Sequence, residues 1–251
     1  MIQDLHSHTY YSFCGKDRPE EIVEAAIAGG VTLFGITDHA HGVGQARRCV
    51  YKYEGEALFE DYGRTLRRYF DHINLVREKY ADRITVLRGI ELRTATDVRR
   101  ADFPLVNDIS FFDYALIEQL DQPDISVAGG DLFGYAERCG CPVGIAHTDL
   151  FAFLEKRGED PYRYFRRMAE AGLFWELNVS YDSIHQYREH AYVKRFFEDA
   201  EQQAIVRESG VSLSVGFDGH RVEDYRPDRV REACLRLEAL GIPLALSQLA
   251  K

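Results

Sequence analysis

The sequence predicts an α/β fold of parallel strands, and a barrel of seven β/α units, one short of the eightfold form, accommodates it best. Three observations carry this. Seven short apolar runs, rich in β-branched and aromatic residues, are bounded by Gly, Pro, Asp or Asn. Longer amphipathic stretches alternate with them, and repeated strand-then-helix order is the mark of parallel β/α architecture. Nearly every run also ends in a histidine or a carboxylate. A doubly wound open sheet competes on the first two counts. The third favours the barrel, because a barrel gathers the C-terminal ends of its strands at one mouth.

The predicted strands are Ile2–Leu5, Thr32–Ile36, Ile84–Ile90, Tyr114–Ile117, Val143–Ile145, Phe174–Leu177 and Val211–Gly216. Pro19–Ala28 reads as a helix with Pro and two Glu in its first turn and Gly29-Gly30 after its end. Glu56–Tyr80 is long and charged, with Leu58, Tyr62, Leu66, Tyr69, Ile73 and Val76 spaced three or four apart on one face. Gly130–Cys139, Pro161–Ala171, Tyr192–Ser209 and Val222–Leu240 repeat the helical pattern.

The chain has 251 residues, 45% hydrophobic and 29% charged, which suits one globular domain over residues 1–251 with a substantial core. A formal net charge of -10 repels nucleic-acid backbones and anionic membranes, so extended nucleic acid is not an expected partner. Five cysteines, Cys14, Cys49, Cys139, Cys141 and Cys234, form no zinc-ribbon spacing and point to a reducing compartment. The N-terminus has neither a basic n-region nor an apolar h-region, and no apolar run approaches the roughly 20 residues of a membrane span. The expected location is the cytoplasm, and the oligomeric state stays open.

The strand ends carry the chemistry. The first run leads into His6-Ser7-His8, the second into Thr37-Asp38-His39, the third ends at Glu91 and the fourth at Glu118. The fifth ends at His147, the sixth carries Glu176 and Asn178, and the seventh leads into Asp218-Gly219-His220. Side chains at i and i+2 of an extended strand point the same way, so His6 and His8 can hold one ion side by side, as can Asp218 and His220. Imidazole with carboxylate is the ligand set of zinc, manganese or iron, and Glu91 can bridge two ions. One His-x-His pair alone is usually chance. Here five of the nine histidines fall at strand ends, with His41 just beyond one, and scattered core histidines would not sort that way.

Asp4-Leu5-His6-Ser7-His8-Thr9, Thr37-Asp38-His39, Gly89-Ile90-Glu91, Ile145-Ala146-His147 and Gly216-Phe217-Asp218-Gly219-His220 together resemble the PHP (polymerase and histidinol phosphatase) family, in order and spacing, over most of the chain. The resemblance implies a distorted (β/α)7 barrel of TIM-barrel type and a metal-dependent phosphoesterase with one to three divalent ions (Zn, Mn or Fe). It implies one metal on His6, His8, Glu91 and Asp218, a second on Glu91 and His147 with a further histidine, and a third on His39 and His220 with another, with Asp38 orienting His39.

The sequence departs from that pattern twice. Cys14-Gly15-Lys16 stands where one histidine is expected and Ile117-Glu118-Gln119-Leu120 where the other is. Glu118 or Asp121 would have to substitute at the second site and Cys14 at the third, or the Lys16 ammonium would replace the charge of a missing ion. The implied chemistry is hydrolysis by a metal-activated hydroxide, since an ion lowers the pKa of its water toward about 7. His39 or His220 would protonate the leaving oxygen beside Asp218. Arg93 and Arg48, with Arg47, are the candidate phosphate forks, though Arg47 and Arg48 also read as a solvated loop pair. Tyr10, Tyr11 and Tyr181 would line the mouth. The expected partner is a small phosphorylated metabolite or nucleotide. The alternative is a degenerate member with fewer metals and a binding, regulatory or altered catalytic role.

Overall fold

The computed structural model describes residues 1–40, 43, 62–92 and 109–250. Seven strands run in sequence order around one sheet: β1 (Gln3–Asp4), β2 (Leu33–Ile36), β3 (Thr85–Leu92), β4 (Tyr114–Ile117), β5 (Val143–Ile145), β6 (Phe174–Asn178) and β7 (Ser212–Gly216). Every neighbouring pair is parallel. The ring closes between β7 and β1, where the Leu5 N–H donates to the Val215 carbonyl at 2.9 Å and Ser7 bridges Gly219 in parallel. The open doubly wound sheet is thereby excluded.

The helices are α1 (Pro19–Ala28), α2 (Tyr62–Tyr80), α3 (Leu132–Cys139), α4 (Leu150–Arg157), α5 (Pro161–Glu170), α6 (Ala191–Glu198), α7 (Ala200–Ser209) and α8 (Pro227–Ala239). Three differ from expectation, each for a local reason. The stretch predicted as one helix over Tyr192–Ser209 is two, because Asp199 turns extended and its carboxylate accepts from the Glu201 and Gln202 N–H groups, starting a new helix. Val222–Leu240 is likewise split: a single 3₁₀ turn, Val222–Asp224, precedes α8, and Arg226 leaves the helical region ahead of Pro227. Helix α4 was not anticipated. Asp149 caps its start by accepting from Ala152 N–H, and Gly158 ends it in the left-handed conformation. Residues 56–61 of the predicted Glu56–Tyr80 helix lie outside the described residues.

Two apolar layers result. The larger fills the space between strands and helices; the smaller fills the barrel with Leu5, Leu33, Leu87, Tyr114, Leu116, Ala146 and Phe174. Two rings do most of the filling, and glycines make room for them. A Cβ on Gly35 would stand 1.8 Å from the Tyr114 hydroxyl, and one on Gly144 would stand 2.1 Å from the Phe174 ring. Tyr114 donates that hydroxyl to the Leu5 carbonyl at 2.6 Å, so the interior has no unpaired polar tip there. Near the C-terminus Leu244 bridges Leu213, and Ala245 and Leu246 join the interior layer from the N-terminal end of the strands. The opposite end is left for polar side chains.

Candidate metal centre

Strand pairing, continued past the end of β2, sets the site. His39, just beyond β2, forms a parallel bridge with Glu91 near the end of β3, which brings the two side chains together at the mouth, His39 Nδ1 lying 2.9 Å from Glu91 Oε2. His6 and His8 follow β1 with their rings on the same side, the Nε2 atoms 3.2 Å apart. His6 Nε2 lies 3.3 Å from Glu91 Oε1 and 3.4 Å from Asp218 Oδ1. His8 Nε2 lies 3.3 Å from Glu91 Oε2 and 3.1 Å from the same Asp218 oxygen. His147 Nε2 reaches Glu91 Oε1 at 3.2 Å, and His220 Nε2 stands 3.7 Å from Asp218 Oδ1. Glu91 therefore sits between four imidazoles, those of His6, His8, His39 and His147.

Backbone strain accompanies this convergence. Asp218 has φ 55° and His147 φ 24°, both in the left-handed region that costs an ordinary residue about 1–3 kcal/mol. The surrounding bonds hold Asp218 there: its N–H donates to the His6 carbonyl at 2.8 Å, and Phe217 N–H donates to the buried Asp4 carboxylate at 2.9 Å.

Electrostatically, the centre demands positive charge. Burial pushes the His6 imidazole down, but Asp218, Glu176 and Glu91 outweigh it and raise it well above its usual value. Burial likewise opposes, and neighbouring carboxylates reverse, the shifts of His39, raised to about 10 beside Glu91, and His220, raised to about 11 beside Asp218. His8 is the exception: burial, then the repulsion of His39, takes it down to about 3, a neutral imidazole with its lone pair available. Against burial, His6 and other histidines hold Glu91 and Asp218 well below the carboxylate range.

The residues fit divalent ions. Glu91 Oε2, Asp218 Oδ1 and His220 Nδ1 are buried without a well-aligned hydrogen bond, and such atoms are costly unless something compensates them. Imidazole nitrogens face carboxylate oxygens at 3.1–3.4 Å around a common point, an arrangement a shared cation satisfies. Among the described residues, five trios have ligand atoms within 4.8 Å of one another: His6-His8-Glu91, His6-His147-Asp218, His8-Cys14-His220, His39-Glu91-Glu118 and Asp182-His185-His220.

A family model, the PHP domain, matches residues 4–222. The chain belongs to the PHP family. The fold agrees with that of the histidinol phosphate phosphatase from Lactococcus lactis, whose crystal structure contains zinc, L-histidinol and phosphate; the TM-score is 0.58 at 17% identity, over 97% of this chain and 95% of that one. A candidate histidinol phosphatase from Listeria monocytogenes aligns with TM-score 0.48 and 14% identity, over 88% of this chain and 96% of that one. No curated protein sequence matches the chain.

Within this PHP barrel, the seven predicted ligands His6, His8, His39, Glu91, His147, Asp218 and His220 all stand at one mouth. The departures resolve unevenly. Cys14, rather than Lys16, is the loop residue among the imidazoles, its sulfur grouped with ligand nitrogens of His8 and His220. The Lys16 side chain is exposed, and its contact with the centre is a backbone one, N–H to the His220 carbonyl at 3.1 Å. Glu118 groups with His39 and Glu91 rather than with His147, while Asp121 is exposed in the turn beyond. Asp38 touches the loop after β1 more than it touches His39: it accepts from Thr9 and Ser12, and Ser12 Oγ in turn accepts from the His39 N–H. Arg47, Arg48, Arg93 and His41 lie outside the described residues. Tyr10 and Tyr11 meet His72 through their hydroxyls, and Tyr181 packs against Tyr187 and under Arg229.

Sequence reasoning gave no role to Glu176, Asp182 or His185. Glu176 is buried in the barrel, 2.7 Å from His6 Nδ1, and accepts the His147 N–H at 2.8 Å. Gly216 makes this possible, since a Cβ there would collide with Glu176 Oε1 at 2.1 Å and His6 Cβ at 2.6 Å. Asp182 holds His185 Nδ1 at 2.7 Å, and His185 Nε2 stands 3.1 Å from Asp218 Oδ2. Glu176 showed in the sequence as a carboxylate inside an apolar strand. His185 and Asp182 sit in the irregular segment after β6, where periodicity is silent.

Proposed function

We propose that this PHP domain, acting as one unit over residues 1–251, is a metal-dependent phosphatase that hydrolyses a small phosphorylated metabolite or nucleotide in the cytoplasm. The observation that carries the reading is the pair of buried carboxylates, Glu91 and Asp218, whose oxygens converge on the Nε2 atoms of His6 and His8. Zn, Mn or Fe fits this mixed nitrogen and oxygen set. Divalent ions, when bound, supply Lewis acidity, acidifying water and neutralising charge on a phosphoryl group.

His6, His8, Glu91 and Asp218 would hold the first ion, with His147, His39 and His220 holding others. The chain's own residues do the rest. Glu176 fixes His6 with its Nδ1 toward the carboxylate, leaving Nε2 for the ion. Whichever of His39 and His220 holds no ion would carry a proton to the leaving oxygen; His185, oriented by Asp182 and more open to solvent at 21% exposed, stands at the rim for the same task. Arg93 and Arg48 remain proposed phosphate contacts. The Lactococcus structure, with histidinol and phosphate together, supports a phosphomonoester of a small amine-bearing alcohol as the first substrate to try.

The test is metal analysis of the purified protein with a phosphomonoester screen under added zinc or manganese, beside His8→Ala. Hydrolysis that is lost in His8→Ala along with bound metal supports the reading. Full metal occupancy with no hydrolysis of any phosphoester would refute it in favour of the non-hydrolytic alternative, which the substitutions at Cys14 and Glu118 make the one to exclude.

A further inference from the structure

The loop from β1 to α1 is stapled on both sides. Tyr10 N–H donates to the Asp17 carbonyl at 2.9 Å and Lys16 N–H to the His220 carbonyl at 3.1 Å. Gly15 packs so closely that a Cβ would stand 2.2 Å from the Thr9 carbonyl oxygen. Cys14 is thereby held, half-buried, with its sulfur among imidazoles. Its sulfur also lies with ligand nitrogens of His8 and His220 inside one 4.8 Å group. An independent observation points into the same group: Asp218 Oδ1, on a side chain more than nine-tenths buried, has no well-aligned hydrogen bond and faces His8 Nε2 at 3.1 Å and His220 Nε2 at 3.7 Å.

The donors are sorted by kind across the mouth. On the His6 side the acceptors are carboxylate oxygens of Glu91 and Asp218. On the His220 side a sulfur joins two imidazoles. Oxygen donors accept manganese or magnesium readily, whereas thiolate favours zinc-like ions.

We propose that Cys14, with His220 and the imidazole grouped beside it, forms a sulfur-containing metal position that selects zinc-class ions over manganese, so that the two sides of the centre take different metals. The inference rests on the metal centre proposed above. It is specific to this chain, because it follows from a cysteine that the fold brings to the imidazoles.

The experiment is a cobalt(II) titration of metal-free, full-length protein under reducing conditions, followed by absorbance. Cobalt in a nitrogen and oxygen site gives visible ligand-field bands alone; a cobalt–sulfur bond adds a near-ultraviolet charge-transfer band. The expected result is both, with the charge-transfer band absent in Cys14→Ser and the cobalt equivalent responsible for it weakened by at least the roughly 10–100-fold that losing a mere supporting residue costs. Zinc should displace that cobalt at stoichiometric levels and manganese should not. Cys14→His, which keeps a ligand, should retain the metal count, lack the charge-transfer band and accept manganese. Ligand-field bands without charge transfer in the wild-type protein, or a charge-transfer band that survives Cys14→Ser, overturn the Cys14 assignment and leave the centre standing. Equal displacement by manganese overturns the selectivity. Failure of any cobalt to bind overturns the metal reading beneath it.

Discussion

Replacing Glu176 by Gln tests how the barrel interior controls the metal centre. The carboxylate accepts on both sides: His6 Nδ1 at 2.7 Å from Oε1, and His147 N–H at 2.8 Å with Asn178 Nδ2 at 3.4 Å from Oε2. Glutamine has the same shape but only one acceptor oxygen. If the amide nitrogen faces His147, two donors confront one another and a buried backbone N–H is orphaned, which costs about 1–3 kcal/mol. If it faces His6, the imidazole must accept at Nδ1 and carry its proton on Nε2, the atom that faces Glu91 and Asp218. That tautomer cannot ligate. No movement relieves the conflict, because Gly216 leaves Glu176 no spare space. The expected outcome is a fall in melting temperature of roughly 2–12 °C, from about 2–4 °C per kcal/mol in a chain of this size, and a zinc affinity reduced roughly 10–100-fold. Differential scanning fluorimetry and competition with a chromogenic chelator measure the two. An unchanged zinc Kd in a folded Glu176→Gln protein would refute the positioning role.

Further expectations follow from the same geometry. Tyr114→Phe removes the donor to the buried Leu5 carbonyl and should cost about 1–3 kcal/mol in urea denaturation; an unaltered midpoint would sink the claim that this bond closes the interior. Gly35→Ala drives a Cβ into the Tyr114 hydroxyl and should destabilise by about 1–3 kcal/mol or more, whereas a neutral effect would mean the ring has room to move. Burial raises the thiols of Cys139 and Cys234 to about 11 and of Cys141 to about 12. Higher pKa means less thiolate, so their alkylation, mapped by mass spectrometry, should be slow at pH 7.5 and rise about tenfold per pH unit. Fast labelling at neutral pH would contradict the burial. Cys14, held below the usual thiol range by His220 and His39 against the effect of burial, should label faster than these three in metal-free protein and be protected by zinc; equal rates with and without zinc would count against contact with the ion.

The sequence by itself determined the parallel seven-strand barrel and the histidines and carboxylates gathered at its mouth. Short continuous apolar runs and strand-end histidines are local signals, and parallel strands buried on both faces give runs of that kind. Pro19, Gly29 and the first-turn glutamates likewise announced α1 with its observed bounds. What lay beyond local signal needed the tertiary structure. The division of α6 from α7 turned on one capping carboxylate, Asp199. Glu176 and Gly216 matter only because β6 and β7 pair side by side, and Asp182 with His185 only because an irregular loop folds back over Asp218. Whether Cys14 or Lys16 enters the centre could not be decided by spacing, since both sit in the same loop. The backbone bonds from Tyr10 and Lys16, and the close packing of Gly15 on Thr9, turn the sulfur inward and leave the ammonium in solvent. Such tertiary contacts leave no periodic trace in the sequence.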